Sequence, residues 1–216
     1  MLIVNKYPSE IVQGDKTGDV PLAEMVREYI RVKYHKPGNA FLGVVHRLDR
    51  PVSGAVIFAR TSKGLTRLNE MLRDRTISKT YWAVVKNQPR AEGERLVHYM
   101  IRNEKQNKSY CYDTERNGAL RAELDYKLIA RSDRYFLLEI DLHTGRHHQI
   151  RAQLAQIGCP IKGDLKYGFD RSNPGGFIHL HARSVKFLHP VSGLEISVVA
   201  DPPPDPVWDF FKQPII

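Results

Sequence analysis

The chain has 216 residues, 42% hydrophobic and 26% charged, enough to bury the core of one domain and ordinary for a soluble globular fold. Its 33 Lys and Arg against 24 Asp and Glu leave a formal charge of +9, which points to a polyanionic partner such as nucleic acid. No stretch approaches membrane-spanning length and no long basic amphipathic helix suits a membrane surface; Cys111 and Cys159 lack metal spacing and read as free thiols of a cytoplasmic protein.

Residues 1 to 5 predict a strand, followed by a turn-rich connection from Lys6 to Asp19. A helix is expected from about Pro21 to Tyr34, capped by Asp19, with Leu22, Met25, Val26, Tyr29 and Ile30 on its inner face. Leu42 to Val45 and Ala55 to Ala59 read as strands on either side of a charged loop, with Ser53-Gly54 as its closing turn. Ser62 to Arg75 reads as a second helix, with Leu65, Leu68, Met71 and Leu72 inward. Lys63, Arg67, Arg73 and Arg75 form its basic side, either a solvated face or an RNA-contacting one. From Lys79 onward strands dominate: Thr80 to Lys86, a hairpin of Leu96 to Arg102 with Ser109 to Asp113, then Leu120 to Ala130 and Tyr135 to Leu142 with clean alternation. A helix from about His147 to Ile157 and strands at Ile178 to Phe187 and Leu194 to Ala200 follow. The Pro-rich stretch 202 to 206 marks a boundary before a short tail containing Trp208, so that 201 to 216 trails a single domain spanning 1 to 216. The fold class is α+β, with a large, mainly antiparallel sheet flanked by helices.

Chemistry concentrates in Val45-His46-Arg47-Leu48-Asp49-Arg50-Pro51-Val52-Ser53-Gly54. Arg47 and Arg50 flank Asp49 and favour its ionised form, keeping it available as a base or nucleophile; the plain alternative is a surface turn whose acid pairs with its neighbours. Arg146, in Thr144-Gly145-Arg146, stands between a strand and a helix whose first N–H groups could receive an anion. Tyr81, in Lys79-Thr80-Tyr81, is a strand tyrosine that would ordinarily be core.

These segments occur in sequence with Leu142-His143-Thr144-Gly145-Arg146-His147-His148-Gln149-Ile150-Arg151, Gly158-Cys159-Pro160-Ile161-Lys162-Gly163-Asp164, Leu180-His181-Ala182 and Phe187-Leu188-His189-Pro190. Together, over roughly residues 3 to 200, they resemble the RluA-type pseudouridine synthases. The resemblance implies a pseudouridine-synthase-like fold with the cleft across the sheet, and no separate N-terminal S4-type RNA-binding domain. It implies an isomerase that turns a uridine of structured RNA into pseudouridine without metal or organic cofactor. Asp49 is then the nucleophile or base, acting after the base leaves its stack. Arg146 pairs with Asp49, and Tyr81 stacks on the base and helps remove the C5 proton. Arg47 helps displace the base, and Leu180 packs on the uracil. His46, Arg50, Gln149, Arg151 and Lys6 are further RNA contacts or supports of the loop. Three positions depart from the family pattern: Val52 where Thr is common, Gln153 where His is common, and Lys6-Tyr7-Pro8-Ser9 in place of Lys-Pro-x-Gly. Transfer RNA is the expected partner ahead of ribosomal RNA, and a monomer the expected state. Two other readings remain: a non-catalytic RNA-binding module, from the charge, and a metalloenzyme built on His143, His147, His148, His179 and His181.

Overall fold

Alternating apolar residues in the central strands leave both faces of one sheet to be covered, and the helices cover them. The computed structural model describes residues 1–15 and 17–212. The elements run β1 (Leu2–Lys6), α1 (Leu22–Lys33), β2 (Gly43–Val44), β3 (Ser53–Ala59), α2 (Ser62–Arg73), β4 (Ser78–Val85) and β5 (Gly93–Asn103). They continue with β6 (Lys108–Tyr112), β7 (Leu120–Arg131), β8 (Phe136–Leu142), α3 (Gln149–Gln156), β9 (Leu180–Leu188), β10 (Glu195–Val199) and α4 (Pro206–Lys212). Among the described residues ten strands form one sheet in the order β1-β3-β9-β4-β8-β7-β5-β6, with β2 attached to β3 and β10 to β9. The expected α+β class with a mainly antiparallel sheet is what the chain adopts.

Among the described residues the one parallel pairing, of β3 with β9, sits at the heart of the sheet. Ser53 and Gly54, expected as a turn, instead open β3 and pair with His181 and Ala182 of β9. Gly54 has φ +117°, and a Cβ there would lie 2.4 Å from the Ala182 carbonyl oxygen. Only a glycine permits this approach. It brings the loop before β3 over the ends of β9 and β4.

On one face Val56, Phe58, Ala83, Val85, Leu138 and Ile140 share a core with Leu22, Ala23, Val26 and Ile30 of α1. Met25 and Tyr29, expected inward, are about half exposed, because the buried stripe runs through Ala23 instead. Asp19 does not cap α1: Pro21 holds that position, and Asp19 accepts from Arg50 Nη1 at 2.5 Å. On the other face Ile57, Leu68 and Phe187 form a second core under α2, whose start is capped by Thr61 Oγ1 accepting from Gly64 N–H at 3.1 Å.

The C-terminal segment is part of the fold. Trp208 is 1% exposed and packs with Phe211 on Val84 and Leu137. Asp205 ties the start of α4 to the sheet through His179 Nε2 at 2.8 Å and accepts from Val207 N–H at 2.9 Å. Residues 213–216 of the expected tail lie outside the described residues. Among the described residues no helix is long and apolar enough to cross a membrane.

Candidate active site

Asp49 lies on the loop joining β2 to β3, and the backbone fixes that loop from several sides. Val52 N–H closes a turn on the Asp49 carbonyl at 3.0 Å, and Ile178 N–H donates to the Pro51 carbonyl at 3.1 Å. The Arg50 carbonyl accepts from Ser9 N–H at 2.9 Å and from Lys6 Nζ at 3.2 Å. Lys6 is 1% exposed, and its ammonium also serves the carbonyls of Tyr7 and Glu10. Burial pushes its pKa down to about 8. Expected as an RNA contact or a support, Lys6 is placed as a support, away from any open surface. His46 is half-buried and lines the pocket: its Nε2 accepts from Ile57 N–H at 3.2 Å, and burial pushes the imidazole down to about 4, so it is neutral.

The cation on Asp49 is not the expected one. Arg151 Nη1 donates to Asp49 Oδ2 at 3.0 Å, while its Nε and Nη2 hold Asp164 in a bidentate pair at 2.7 and 2.9 Å. The side chains of Arg151 and Asp164 are only 6% and 1% exposed. The Tyr167 ring lies 5.0 Å from the guanidinium. Asp49 and Asp164 both hold Arg151 in its charged form. Arg146, expected to make this pair, is exposed, and its Nε donates to the Arg121 carbonyl at 3.1 Å. The reason is helical geometry: α3 starts only at Gln149, so Arg146 belongs to the preceding loop, while Arg151 projects from the first turn toward Asp49. Arg50 also turns away, toward Asp19 and Asp15. Of the two arginines flanking Asp49, only Arg47 reaches the pocket.

Gln149 organises the entry to α3. Its Oε1 accepts from Thr144 Oγ1 at 2.7 Å and from Arg146 N–H at 3.0 Å, and its Nε2 donates to the Glu123 carbonyl at 3.1 Å. The Arg146 N–H, expected to be free for an anion, is therefore already satisfied. Gln149 is a clamp on the turn.

His148, expected only as a possible metal ligand, and Tyr167 and Asp164, given no role from the sequence, complete the surroundings of Asp49. Ser109 N–H donates to the Tyr167 hydroxyl at 2.8 Å, so that hydroxyl can give its own proton to His148 Nδ1, 2.9 Å away. The Nε2–H tautomer of His148 then faces Asp49 Oδ2 at 3.4 Å. Burial and the nearby Arg151 push His148 down to about 2, so it acts as a neutral donor. Its left-handed backbone, φ 55°, turns the chain into α3 and sets the ring against His147, 3.8 Å away. The adjacency of His148 to Gln149 was visible in the sequence, but only the fold shows which partner its ring meets.

The pocket opens above Asp49, with Leu48, Val52, Ile150, Leu180 and the Tyr81 ring as its apolar lining. Tyr81 is aimed there by a β-bulge between Thr80 and Tyr81 in the pairing of β4 with β9. Burial and the Asp49 charge both push its phenol upward, so without a substrate it stays protonated. The rim carries Arg47, Arg73, Lys79, Arg102 and Arg146. Among the described residues no group of three or more His, Cys, Asp or Glu side chains is arranged to hold a metal. The histidines are engaged elsewhere: His143 with Asp125 at 2.8 Å, His147 with Ser109 at 2.8 Å, His181 with Ser53 at 2.8 Å.

This arrangement, an acid with one oxygen held by an internal arginine beneath a cation-rimmed pocket, occurs on a chain with clear relatives. Residues 1–156 match the RNA pseudouridylate synthase family. A ribosomal large subunit pseudouridine synthase C of Rickettsia bellii is 33% identical, over 80% of this chain and 58% of its own length. A tRNA pseudouridine synthase C of Vibrio vulnificus is 31% identical, over 76% of this chain and 73% of its own length. An uncharacterized RNA pseudouridine synthase of Synechocystis is 32% identical over 74% and 50%. The chain thus spans about half to three-fifths of the length of several curated relatives it matches. In fold, the human RNA pseudouridylate synthase domain containing 4 superposes with a TM-score of 0.80 at 21% identity, covering 97% of this chain and 88% of that one. The chain belongs to the RNA pseudouridylate synthase family.

Proposed function

We propose that this chain isomerises a uridine of structured RNA to pseudouridine, with Asp49 as the reacting carboxylate. The observation that carries the reading is the state of Asp49. Arg151 and His148 both address Oδ2, while Oδ1 makes no hydrogen bond among the described residues and is left for a substrate. A uridine turned out of its stack would rest on Leu48, Val52, Leu180 and the Tyr81 ring, with its ribose toward Asp49. The carboxylate then attacks C1′ or takes the C2′ proton. The N1–C1′ bond breaks with its electrons on the uracil, which the surrounding cations stabilise as an anion. The base turns and C5 bonds to C1′; in the first route this displaces the Asp49 carboxylate from its ester at C1′, and in the second Asp49 returns the proton to C2′. The C5 proton then passes to solvent and N1 takes one up. Atoms and electrons balance within the nucleotide, so the reaction calls for no cofactor.

Transfer RNA is the substrate we favour over ribosomal RNA, acted on by a monomer in the cytoplasm. The Vibrio vulnificus relative named for tRNA is matched over 73% of its length. The test is tritium release from RNA labelled at uracil C5, using bulk tRNA and rRNA from cells lacking the protein. Wild type should release tritium from tRNA, and Asp49→Asn from neither RNA. Equal release by both proteins would remove Asp49 from the mechanism, and release from rRNA alone would overturn the preference for tRNA.

A further inference from the structure

Lys79 is a lysine in an unusual position. It is half-buried at the start of β4, lines the Asp49 pocket two residues before Tyr81, and makes no hydrogen bond or ion pair among the described residues. Lys36, Lys63, Lys105 and Lys127 also lack such partners among the described residues but are exposed, whereas the less exposed Lys6 and Lys162 are engaged, with three carbonyls and with Asn173. Burial lowers the pKa of Lys79, the cost of holding an ammonium in partial isolation from water. The ammonium lies 3.9 Å from where a Cβ on Gly145 would stand, so the glycine leaves the space beside it uncovered.

Position gives this cation a purpose. A second groove adjoins the Asp49 pocket, and the two share Leu72, Arg73, Lys79, Leu142, Gly145 and Arg146. Lys79 therefore stands at their junction. Arg75 and His143 continue the cationic and polar lining beyond it. Two carboxylates also stand along this path: Asp49, one oxygen of which is held by Arg151, and Asp141, which accepts from the Thr80 hydroxyl at 3.1 Å and keeps its charge, so the cations outnumber them. An anion arriving from outside would find at the junction an ammonium without a partner among the described residues, the exposed Arg146 held only by its Nε, and the exposed Arg73, whose Nε lies 3.4 Å from Asp74 Oδ1 and whose other nitrogens are open.

We propose that Lys79, with Arg146 and Arg73 beside it, forms a phosphate subsite that grips the RNA backbone next to the uridine in the Asp49 pocket and sends the adjoining strand along the second groove. The subsite rests on the RNA reading above and assigns that reading a path for the strand. Lysine suits the task as a point charge that can meet phosphate oxygens from any direction, with no fixed fork to align. Arg146, free of Asp49, is available for the same anion.

The experiment measures binding of pentauridylate as a function of salt for wild type, Lys79→Gln and Lys86→Gln, the last being the same charge change at an ion pair outside both grooves. For Lys79→Gln the slope of log affinity against log salt should fall by about 0.7 to 1, the value for one lost phosphate contact, while Lys86→Gln keeps the wild-type slope. Thermal unfolding of Lys79→Gln should match or exceed that of wild type, because a partly desolvated, unpaired charge is removed. A second series replaces each linkage of the pentanucleotide in turn by a neutral methylphosphonate. One linkage should weaken binding to wild type and have no further effect on Lys79→Gln. An unchanged slope in Lys79→Gln, a methylphosphonate effect independent of Lys79, or no binding of pentauridylate by wild type at low salt would each overturn the subsite. Tritium release by wild type together with an unchanged slope sinks the subsite alone. A Lys79-dependent slope without any tritium release sinks the isomerase reading and leaves the subsite.

Discussion

Replacing Arg151 by Met separates the arginine that holds Asp49 from the one expected to hold it. Arg151 is bonded to Asp164 through two nitrogens and to Asp49 through a third, and Asp164 is almost fully enclosed. Removing the guanidinium leaves a buried carboxylate with no cation, which costs about 3–5 kcal/mol. For a chain of this length that corresponds to a fall in Tm of about 6–20 °C. Asp49 also loses its directing bond, and tritium release should drop by about a hundredfold or more. Arg146→Gln removes an exposed side chain whose bond is to a backbone carbonyl, so its stability should stay within about 0.5 kcal/mol of wild type. The double variant Arg151→Met/Asp164→Leu takes out the buried acid along with its partner. It should recover most of the lost Tm without recovering activity, because Asp49 still has no guanidinium. Differential scanning calorimetry and tritium release read the two effects separately. Equal losses of stability in Arg146→Gln and Arg151→Met, or wild-type release from Arg151→Met, would refute the assignment.

Three further outcomes follow from the same neighbourhood and the core beneath it. Lys6→Met strips three backbone carbonyls of an internal ammonium and should cost about 2–3 kcal/mol by urea unfolding, with a lower kcat from a loosened Asp49 loop. A variant as stable as wild type would deny Lys6 its role as a support. Tyr167→Phe keeps the ring under Arg151 but leaves Ser109 N–H and His148 Nδ1 without a partner, a loss of about 1–3 kcal/mol with reduced tritium release. Wild-type behaviour on both counts would break the proposed chain from Tyr167 through His148 to Asp49. Burial pushes His179 and His181 down to about 4 from a usual 6.5, so between those limits the unfolded chain binds protons that the folded chain does not. Stability should therefore fall as the pH drops through that window, by at most about 1.4 kcal/mol per pH unit for each histidine. A flat stability profile across the window would show that these imidazoles accept protons in place.

Much of the fold was legible because it depends on local periodicity. The alternation of Ala122, Leu124 and Tyr126 gave β7, and the 3–4 spacing of α2 gave its inner side, since both patterns are imposed by the backbone itself. The misread pieces are those settled by distant contacts. Ser53-Gly54 looks like a turn until β9 arrives alongside and needs a residue without a side chain. Trp208 looks like the tail of a Pro-rich stretch until Val84 and Leu137 provide a surface for it. Met25 follows the helical period as well as Ala23 does, and only the width of the available core decides between them.

The same division governs the site. Asp49 was singled out by the family-like blocks that accompany its loop, since the loop alone reads as readily as a surface turn, and its sequence neighbours proved to be poor guides to its electrostatics. Arg50 points to Asp19 across the surface, and the cation that reaches Asp49 comes from a helix more than a hundred positions along the chain. Adjacent residues on an extended loop project in different directions, so nearness in sequence gives little pairing. A helix holds one side chain at a fixed height and angle, which lets Arg151 serve Asp164 and Asp49 at once. Arg146 was expected to pair with Asp49 and Arg151 only to support the loop or contact RNA, and the position of the first helical turn gives the pairing to Arg151 instead. Once Arg151 takes the acid, Arg146 is left at the pocket rim beside the unpaired Lys79, where its charge is of use to a phosphate.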